Sequence, residues 1–373
     1  MRYVIDNSNL YAGGGIQVAS SFLNDLKKLG LNNEYHIIQS FNMSKNFISN
    51  GFPENFKFYN LNEKTQKSIR FRSSQVKKLE EIIKPDCIFT VFGPSYHKSK
   101  FPKIVGFAIG HIIYRDSPYF KLLNTKQKFK DFLTCELKKV FFKKNSDVLI
   151  FETIDAMKRF QNISKFKKNY VVSNTINEIF LEKMKWQPIH LENKNKKKIL
   201  VVTANYPHKN LKIIPSIIDK LVREKKINDF EFVITVDKKE LGFGDYYDNY
   251  IQYIGKVPLD QLPSLYNQST IVFMPTLLEI FSATYLEAMY MSKAIVASDM
   301  GFSRDICEDA AFYCSPTNID NYVDVIDQLL KNIELRTKFE KKGFSRIKSF
   351  GTSLDRTNEY LSIMKYVSEE FKK

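Results

Sequence analysis

Short apolar runs typical of buried strands alternate with longer amphipathic runs along almost the whole chain. Strands are predicted at Tyr3 to Ile5, Tyr35 to Gln39, Cys87 to Val91, Ile104 to Ala108, Val148 to Phe151, Ile199 to Thr203, Ile271 to Met274 and Ala294 to Asp299. Helices are predicted from about Ile16 to Leu29, around Val76 to Ile83, through Phe129 to Phe142 and from Thr352 to Lys373. This alternation is typical of α/β folds with parallel sheets.

The alternation is interrupted by a stretch rich in lysine and asparagine, from Glu182 to Lys198. The chain has 373 residues, which is more than one hydrophobic core usually holds. We therefore predict two α/β domains, residues 1–180 and residues 181–351, followed by a C-terminal helix at 352–373.

Two glutamates, Glu279 and Glu287, are separated by seven residues in the second half. The first follows the strand that ends at Met274, and the second lies about a turn and a half inside a helix that Ser282 can cap. A loop between a strand and a helix N-terminus presents backbone N–H groups to a phosphate. The pair therefore predicts a phosphate site with two carboxylates beside it, although an isolated pair is equally compatible with two solvated acids.

The next strand is followed by Met300 to Asp305, which we predict to be a second polar loop at the same sheet edge. In the first half, a glycine run at Ala12 to Ile16 separates the first strand from the first helix. Glycines at that point allow backbone to approach a ligand closely, or simply form a tight turn.

The order and spacing of several segments resemble family 4 of the retaining nucleotide-sugar glycosyltransferases, in particular those of bacterial polysaccharide assembly. The resemblance rests on Lys209 to Leu211, Glu279 to Ser282, Leu286 to Met289, Ile295 to Ser298, Gly301 to Asp305 and Glu308 to Ala311. It implies the GT-B fold, in which two Rossmann-like domains face a cleft and the last helix crosses back to the first domain. It also implies transfer without a metal or other cofactor.

The resemblance further implies roles for individual residues. Lys209 would contact the donor diphosphate, and Glu287 would bind the nucleotide ribose. Glu279 would bind the donor sugar or an oxocarbenium-like transition state, and His111 would lie beside that sugar. The remaining donor-binding candidates are at the glycine loop and the helix start, namely Gly14, Gly15, Phe281, Ser282, Ala283 and Thr284.

The sequence departs from the family pattern at three positions. Ala204 stands where the family usually has an arginine on the diphosphate, and Asn205 beside it can donate a hydrogen bond without the charge. Ile280 and Ser282 replace glycines, so we expect a differently shaped sugar pocket. The missing arginine also leaves open a non-catalytic GT-B scaffold at the membrane surface.

The positive charge is concentrated in the first half. The net charge is +16, and residues 1–190 contain 31 Lys and Arg against 16 Asp and Glu, which leaves 26 against 25 for residues 191–373. Lysines alternate with phenylalanines between residues 120 and 144, which suits an anionic membrane surface. The alternative is a solvated helix with its aromatic residues in the core. Nucleic acid is not an expected partner, because no nucleic-acid-binding motif accompanies the charge.

The longest apolar stretch, Ile104 to Ile113, is about half the ~20 residues that a spanning helix needs. Asp6, Asn7 and Asn9 interrupt the N-terminus, which argues against a signal peptide. The four cysteines lack metal-site spacing and predict reduced, buried thiols. We therefore expect a cytoplasmic protein that associates peripherally with the inner face of the membrane.

These observations predict a hexosyl- or deoxyhexosyltransferase with retention of configuration, using a nucleoside-diphosphate sugar as donor. The acceptor would be a glycan or polyprenyl-linked hydroxyl, in assembly of a surface polysaccharide such as O-antigen, part of lipopolysaccharide, or capsule. A GT-B sugar-nucleotide epimerase is an alternative enzyme, although the charge asymmetry argues against it.

Overall fold

The computed structural model describes residues 1–166 and 168–372. These residues form two compact units. Unit 1 contains residues 1–113, 125–174 and 352–373, and unit 2 contains residues 114–124 and 175–351. The chain therefore changes unit after residue 174 rather than after residue 180, and it also enters unit 2 briefly at residues 114–124.

The short segment 114–124 belongs to unit 2 because its side chains pack there. The Ser117 hydroxyl donates a hydrogen bond to the Leu277 carbonyl at 2.6 Å. The Tyr114 ring packs edge-on against Phe302, with centroids 5.5 Å apart. The sequence pattern gave no sign of this exchange, because the segment contains no regular strand or long helix.

Unit 1 is built on a seven-stranded parallel sheet with the order β3-β2-β1-β4-β5-β6-β7. Its strands are β1 (Arg2–Asn7), β2 (Glu34–Gln39), β3 (Phe56–Asn60), β4 (Cys87–Thr90), β5 (Lys103–Phe107), β6 (Val148–Phe151) and β7 (Asn169–Val171). The helices between them are α1 (Gly14–Leu29), α2 (Phe41–Asn46), α3 (Glu63–Lys67), α4 (Ile69–Ile83), α5 (Gly110–Ile113), α6 (Thr125–Asn145) and α7 (Ile154–Ile163).

Unit 2 has a six-stranded parallel sheet with the order β10-β9-β8-β11-β12-β13. Its strands are β8 (Lys197–Val201), β9 (Phe230–Ile234), β10 (Ile251–Tyr253), β11 (Ile271–Met274), β12 (Ala294–Ser298) and β13 (Ala311–Cys314). Its helices are α8 (Ile214–Arg223), α9 (Lys238–Leu241), α10 (Leu262–Asn267), α11 (Ala283–Tyr290), α12 (Gly301–Cys307), α13 (Ile319–Lys331) and α14 (Ile333–Arg346).

The final helix, α15 (Ser353–Glu370), packs on unit 1. Tyr360, Met364 and Val367 are buried in the same apolar cluster as the first strands of that unit. Asp25 of α1 accepts hydrogen bonds from the Thr357 hydroxyl at 3.1 Å and the Ser353 hydroxyl at 3.2 Å. This agrees with the predicted return of the last helix to the first domain.

In each sheet the strand order reverses at one point, between β1 and β4 in unit 1 and between β8 and β11 in unit 2. Loops that leave the two strands at such a point diverge to opposite faces of the sheet. They leave a crevice at the carboxyl ends of the strands, and this is where doubly wound sheets bind ligands. The topology therefore gives each unit one position for a site.

Each predicted strand and helix is present, with ends displaced by a few residues, and both sheets are parallel as predicted. The predicted second polar loop at Met300 to Asp305 is wrong, because helix α12 begins at Gly301 and leaves only a short turn after β12. Ser303 stabilises that early start, since its hydroxyl accepts a hydrogen bond from the Met300 N–H at 3.2 Å.

Candidate functional site

A small pocket lies in unit 2 at the point where the strand order reverses. It is lined by the ends of β8 and β11 and by the loops that follow them, with Val201, Val202, Thr203, Lys209, Leu211, Phe273, Met274, Pro275, Thr276 and Ser282 as the lining residues. Two predicted donor-binding residues, Lys209 and Ser282, therefore share one pocket although they are far apart in the sequence.

Lys209 reaches the pocket from a single 3₁₀ turn, Pro207–Lys209. Asn210 ends that turn in the left-handed region with φ of 58°. The Leu277 N–H donates a hydrogen bond to the His208 carbonyl at 2.7 Å, which ties the loop after β8 to the loop after β11. These backbone contacts fix the lysine beside the second loop.

The ammonium group of Lys209 forms an ion pair with the carboxylate of Glu279. Their side chains are 17% and 24% exposed, so both retain contact with solvent. The structure therefore brings together the lysine motif and the first glutamate of the predicted pair. A cation and an acid at the end of a pocket can bind an anionic group and a hydroxyl group, respectively.

Glu287 lies in different surroundings, on the inner face of α11 with only 6% of its surface exposed. One of its carboxylate oxygens accepts a hydrogen bond from the Tyr266 hydroxyl at 2.7 Å. Burial raises the pKa of Glu287 to about 7, and the hydrogen bond from Tyr266 opposes that rise only in part. The carboxyl group is thus poised between its neutral and charged forms near neutral pH.

The start of α11 differs in detail from the prediction. Ser282 occupies the N-cap position, but its side chain makes no capping hydrogen bond within the part of the chain that the structure describes. The hydroxyl lines the pocket instead, and Ala283 and Thr284 in the first turn are half-buried. Phe281 is buried against Phe350, with ring centroids 6.2 Å apart, so its ring belongs to the core.

Asn205, the proposed replacement for the family's arginine, is not among the pocket-lining residues. Its amide nitrogen donates a hydrogen bond to the Glu240 carbonyl at 2.7 Å. The side chain is exposed and holds the loop after β8 against α9. Its role in donor binding stays a prediction.

His111 lies in unit 1 on the short helix α5. Its Nδ1 atom is 2.7 Å from a carboxylate oxygen of Asp131 on α6, and the ring is one-third exposed. A carboxylate on one ring nitrogen fixes the orientation of the imidazole and favours a proton on that nitrogen. Sequence reasoning missed Asp131, although it is one of only two acids in the lysine-rich stretch that forms α6.

Gly14 and Gly15 form the first turn of α1 rather than a loop before it. The conformational need for glycine falls on Gly13, whose φ is 67°. At Gly15 an added Cβ would lie 3.2 Å from Leu10 and 3.5 Å from Phe92, so a side chain there would crowd the loops after β1 and β4. At Gly14 a Cβ would meet nothing within 4 Å.

Sequence reasoning also missed Thr203, Thr276 and Tyr266. Both threonines line the pocket. Thr203 is the last residue of one predicted strand and Thr276 comes two residues after another, so their position at the carboxyl end of a strand was the available signal. Tyr266 comes from α10, which the pattern did not identify, and its distance from Glu287 in sequence gave no hint of contact.

Within residues 1–166 and 168–372, no group of three or more His, Cys, Asp or Glu side chains is placed to hold a metal ion. Metal-independent transfer stays a prediction of the resemblance. None of the helices in the same described ranges is both long and apolar enough to cross a membrane.

Comparison of the sequence with known families gives a match to glycosyl transferases group 1 at residues 182–346. A segment of 103 residues is 28% identical to the O-antigen chain mannosyltransferase B of Escherichia coli. That segment represents 28% of this chain and 27% of the mannosyltransferase. The match to the family thus covers most of unit 2, including the pocket.

Solved structures resemble the whole chain. A sucrose-phosphate synthase from Thermosynechococcus elongatus has a TM-score of 0.76 at 12% identity, over 98% of this chain and 99% of that one. A UDP-forming α,α-trehalose-phosphate synthase from Burkholderia vietnamiensis has a TM-score of 0.72 at 11% identity, over 98% and 99%. The Anabaena protein HepE, in complex with UDP and glucose, has a TM-score of 0.70 at 11% identity, over 98% and 100%. The likeness confirms the GT-B fold.

Proposed function

We propose that this protein transfers a sugar from a nucleoside-diphosphate sugar to a hydroxyl group, with retention of configuration. The match of residues 182–346 to glycosyl transferases group 1, in a chain with the GT-B fold, supports this proposal. The observation that carries the proposal is the Lys209–Glu279 ion pair beside the pocket of unit 2. It provides one group for the leaving diphosphate and one for the sugar.

In this proposal the donor diphosphate takes the place of Glu279 on the Lys209 ammonium. A diphosphate carries more negative charge than a carboxylate and offers several oxygens to the cation. Glu279 is thereby released to accept hydrogen bonds from the sugar hydroxyls or to face an oxocarbenium-like transition state. Donor binding and assembly of the sugar site are then a single event.

The leaving diphosphate gains negative charge as the glycosidic bond breaks. Lys209 stabilises that charge together with backbone N–H groups at the start of α11, around Ser282 to Thr284. The N–H groups of Gly14 and Gly15 begin α1 in the same way and are proposed to bind phosphate or acceptor. These groups supply positive charge where other enzymes use a metal, so the proposal requires none.

Glu287 is proposed to bind the nucleotide ribose, whose hydroxyls suit a carboxylate acceptor. A donor that hydrogen-bonds to the charged form would favour ionisation of this group, whose pKa of about 7 leaves it partly neutral in the free protein. The Tyr266 hydroxyl orients the carboxylate from the opposite side. Nucleotide affinity should therefore depend on pH near neutrality.

His111 is proposed to lie beside the reacting sugar, as the family resemblance implies. Asp131 acts as a positioning residue, because its carboxylate holds the Nδ1 side of the ring. The ring orientation is then set before substrate binds, which reduces the cost of organising the site.

The acceptor is proposed to be a glycan or a polyprenyl-linked glycan at an anionic membrane. One face of α6 supports this part of the proposal. Five apolar side chains on that face are between 42% and 63% exposed, namely Phe129, Phe132, Leu133, Leu137 and Val140. We call this set the α6 stripe. It lies opposite the buried residues Cys135 and Phe142.

The α6 stripe is flanked by lysines, since the helix contains seven lysines and only two acids. Exposed apolar groups surrounded by lysines suit insertion into an anionic lipid interface. The phenylalanines of the predicted lysine and phenylalanine cluster do not all lie on this exposed face. Phe142 packs in the core against Phe107, and Phe141 packs on Tyr96. Phe120 belongs to unit 2 and packs on Tyr119.

A role in O-antigen or capsule assembly is proposed from the partial match to the Escherichia coli mannosyltransferase, together with the α6 stripe. Such an enzyme works on the inner face of the cytoplasmic membrane without crossing it. A hexose or deoxyhexose is the proposed transferred unit.

The experiment is transfer of radiolabelled sugar from UDP-, GDP- and dTDP-sugars to lipid extracted from bacteria that make a surface polysaccharide. The proposal expects label in the lipid-extractable fraction with one donor, and loss of that label with Lys209→Met. NMR of the product should show the anomeric configuration of the donor. Conversion of the donor to an epimer without transfer, or no reaction with any donor, would contradict the proposal.

A further inference from the structure

Helix α4 buries two charged residues. Its inward face consists of Arg72, Val76, Glu80 and Ile83, which are spaced by three or four residues along the helix. A buried charge is costly unless it is paired and hydrogen-bonded. The surroundings of Arg72 and Glu80 therefore show whether each charge is compensated within the protein.

The acid on this face is compensated. Glu80 accepts hydrogen bonds from the Lys103 ammonium at 2.9 Å and from the His97 ring at 2.8 Å. Burial works to raise the pKa of Glu80, but these two partners hold it below its ordinary value. Lys103 also donates to the Ser95 hydroxyl at 3.1 Å. This cluster is complete without a ligand.

The positive charge of Arg72 on the same face is not compensated by an ion pair within residues 1–166 and 168–372. Arg72 is 4% exposed, and no carboxylate of residues 1–166 or 168–372 forms an ion pair with its guanidinium. One of its nitrogens donates to the Tyr11 hydroxyl and to the Gln66 carbonyl. The guanidinium also lies 5.5 Å from the Tyr11 ring centre and 5.6 Å from the Tyr96 ring centre.

The two tyrosines hold the guanidinium in place but do not neutralise it. Burial raises the pKa of both phenols, so they are neutral at pH 7 although Arg72 opposes the rise. The two aromatic rings lie against the guanidinium, and its buried positive charge remains.

Arg72 lines a small pocket at the other reversal of strand order, between β1 and β4. The remaining lining residues are Asp6, Ser8, Asn9, Ser73, Val76, Ser95, Tyr96 and His97. The one carboxylate among them is already used, since Asp6 accepts hydrogen bonds from the Ser8 N–H at 3.0 Å and the Thr90 hydroxyl at 3.1 Å. Serine hydroxyls and one guanidinium thus dominate the pocket.

We propose that this pocket binds a phosphate group of the acceptor, either a phosphate monoester or a diphosphate, through Arg72. The assignment rests on the proposed transferase function, because only a transferase needs an acceptor. A guanidinium presents planar, forked N–H groups that can bind two phosphate oxygens at once. Ser8 and Ser73 can donate to the remaining oxygens. The phosphate supplies the ion-pair partner that Arg72 does not have within residues 1–166 and 168–372.

A phosphate of this kind has two sources, a soluble sugar phosphate or the diphosphate of a polyprenyl lipid. The net positive charge of residues 1–190 favours binding of either molecule, because each phosphate is negatively charged. The bound phosphate would anchor the acceptor and leave its hydroxyl group to react. The acceptor in this proposal is therefore a phosphorylated molecule.

The experiment is calorimetric titration of the full chain with inorganic pyrophosphate, in the presence of excess UDP and GDP to occupy the nucleotide site of unit 2. Wild type is compared with Arg72→Gln and with Arg70→Gln, an exposed arginine on the same helix. We expect binding by wild type and Arg70→Gln, and affinity reduced about tenfold or more in Arg72→Gln because the charge-assisted contacts are lost. Arg72→Lys, which keeps the charge, should fall between them.

Nucleotide binding by unit 2 is also measured on every variant. A variant that has lost its fold would lose nucleotide binding as well as pyrophosphate binding. Failure of the transferase proposal would instead appear as absence of nucleotide binding in wild type. No pyrophosphate binding by wild type would overturn the inference, and so would equal affinity of wild type and folded Arg72→Gln. A second arm uses glucose 6-phosphate and phosphatidylcholine vesicles containing polyprenyl diphosphate. Arg72-dependent binding of the first assigns a soluble acceptor, and Arg72-dependent capture on the vesicles assigns a lipid acceptor.

Discussion

Lys209 and Glu279 are 70 residues apart in the sequence and form an ion pair at the carboxyl ends of adjacent strands β8 and β11. Strands β8 and β11 end side by side where the strand order reverses, and the hydrogen bond from the Leu277 N–H to the His208 carbonyl holds the two loops together there. Both side chains remain partly open to solvent. Their contribution to folding should be small, and their contribution to ligand binding large.

Lys209→Met should separate these two contributions. An ion pair open to solvent stabilises a fold by about 0–1 kcal/mol, so the unfolding free energy should change by no more than that. Nucleoside-diphosphate affinity should fall about tenfold to a hundredfold, because a charge-assisted contact contributes about 1.5–3 kcal/mol. Calorimetric titration and urea unfolding measure the two quantities.

The matched control is Lys212→Met, which removes the same charge from an exposed lysine three residues further along the chain. Its nucleotide affinity should equal that of wild type. Equal losses of affinity in the two variants would mean that net charge, rather than the position of Lys209, governs binding.

Glu287→Gln should stabilise the protein above neutral pH. In the folded state the pKa of Glu287 is raised to about 7 from an ordinary value of 4.5. Below pH 4.5 the carboxyl is neutral in both states, but between pH 4.5 and 7 it ionises first in the unfolded chain. Stability contributed by the neutral form is therefore lost as pH rises through this window.

Glutamine keeps the hydrogen bond to Tyr266 and cannot ionise, so it removes that loss. We expect the unfolding free energy of Glu287→Gln to exceed that of wild type by about 3 kcal/mol at pH 8, and to match it at pH 4. Urea unfolding at both pH values measures the difference. Nucleotide affinity of the same variant should fall. A pH-independent difference in stability would show that Glu287 does not titrate in this window.

Asp131→Asn should change the state of the His111 ring. The wild-type carboxylate favours a proton on Nδ1, whereas an asparagine side chain can accept from or donate to that nitrogen. Long-range nitrogen–proton NMR should show a larger share of the Nε2-protonated tautomer in the variant. Glu136→Gln, at the other acid on α6, should leave the His111 signals unchanged. The same signals in wild type and Asp131→Asn would contradict the positioning role.

The α6 stripe should mediate membrane binding. Replacing Phe129, Phe132 and Leu133 by serine removes three exposed side chains, so folding should be unaffected. Binding to vesicles with anionic lipid, measured by sedimentation, should be lost at physiological salt. Serine at the exposed Phe344 of unit 2 is the control and should bind as wild type does. Retained binding by the triple variant would assign the interaction to another surface.

The fold was predictable because its determinants are local. Strands such as β6 and β11 are fully buried apolar runs. The resemblance of the second half to family 4 glycosyltransferases identified the GT-B architecture. The placement of residues 114–124 was not predictable, since it depends on side-chain contacts such as Ser117 with the Leu277 carbonyl that leave no periodic pattern. Strands β3, β7, β9, β10 and β13 were also missed, and several of these are short or at a sheet edge.

The motifs of the candidate site could be predicted from the sequence, but the contacts between its residues could not. The sequence identified Lys209, Glu279 and Ser282 as site residues. In the structure Lys209 and Ser282 line one pocket, and Glu279 forms an ion pair with Lys209. The hydrogen bonds from Tyr266 to Glu287 and between Asp131 and His111 link residues from separate elements, so they need the tertiary fold. Arg72 was not predictable for the same reason, because its burial and its lack of an acidic partner within residues 1–166 and 168–372 are properties of the folded unit.

The central claim is that unit 2 binds a nucleoside-diphosphate sugar through Lys209. The most direct measurement is thermal unfolding of wild type and Lys209→Met with a panel of UDP-, GDP- and dTDP-sugars. A donor at 100 times its Kd adds about 2.7 kcal/mol to the folded state, or roughly 2–4 °C in Tm for a chain of this size. We predict such a shift with donors of one base, and its loss in Lys209→Met. No shift with any donor, or an equal shift in the variant, would contradict the claim.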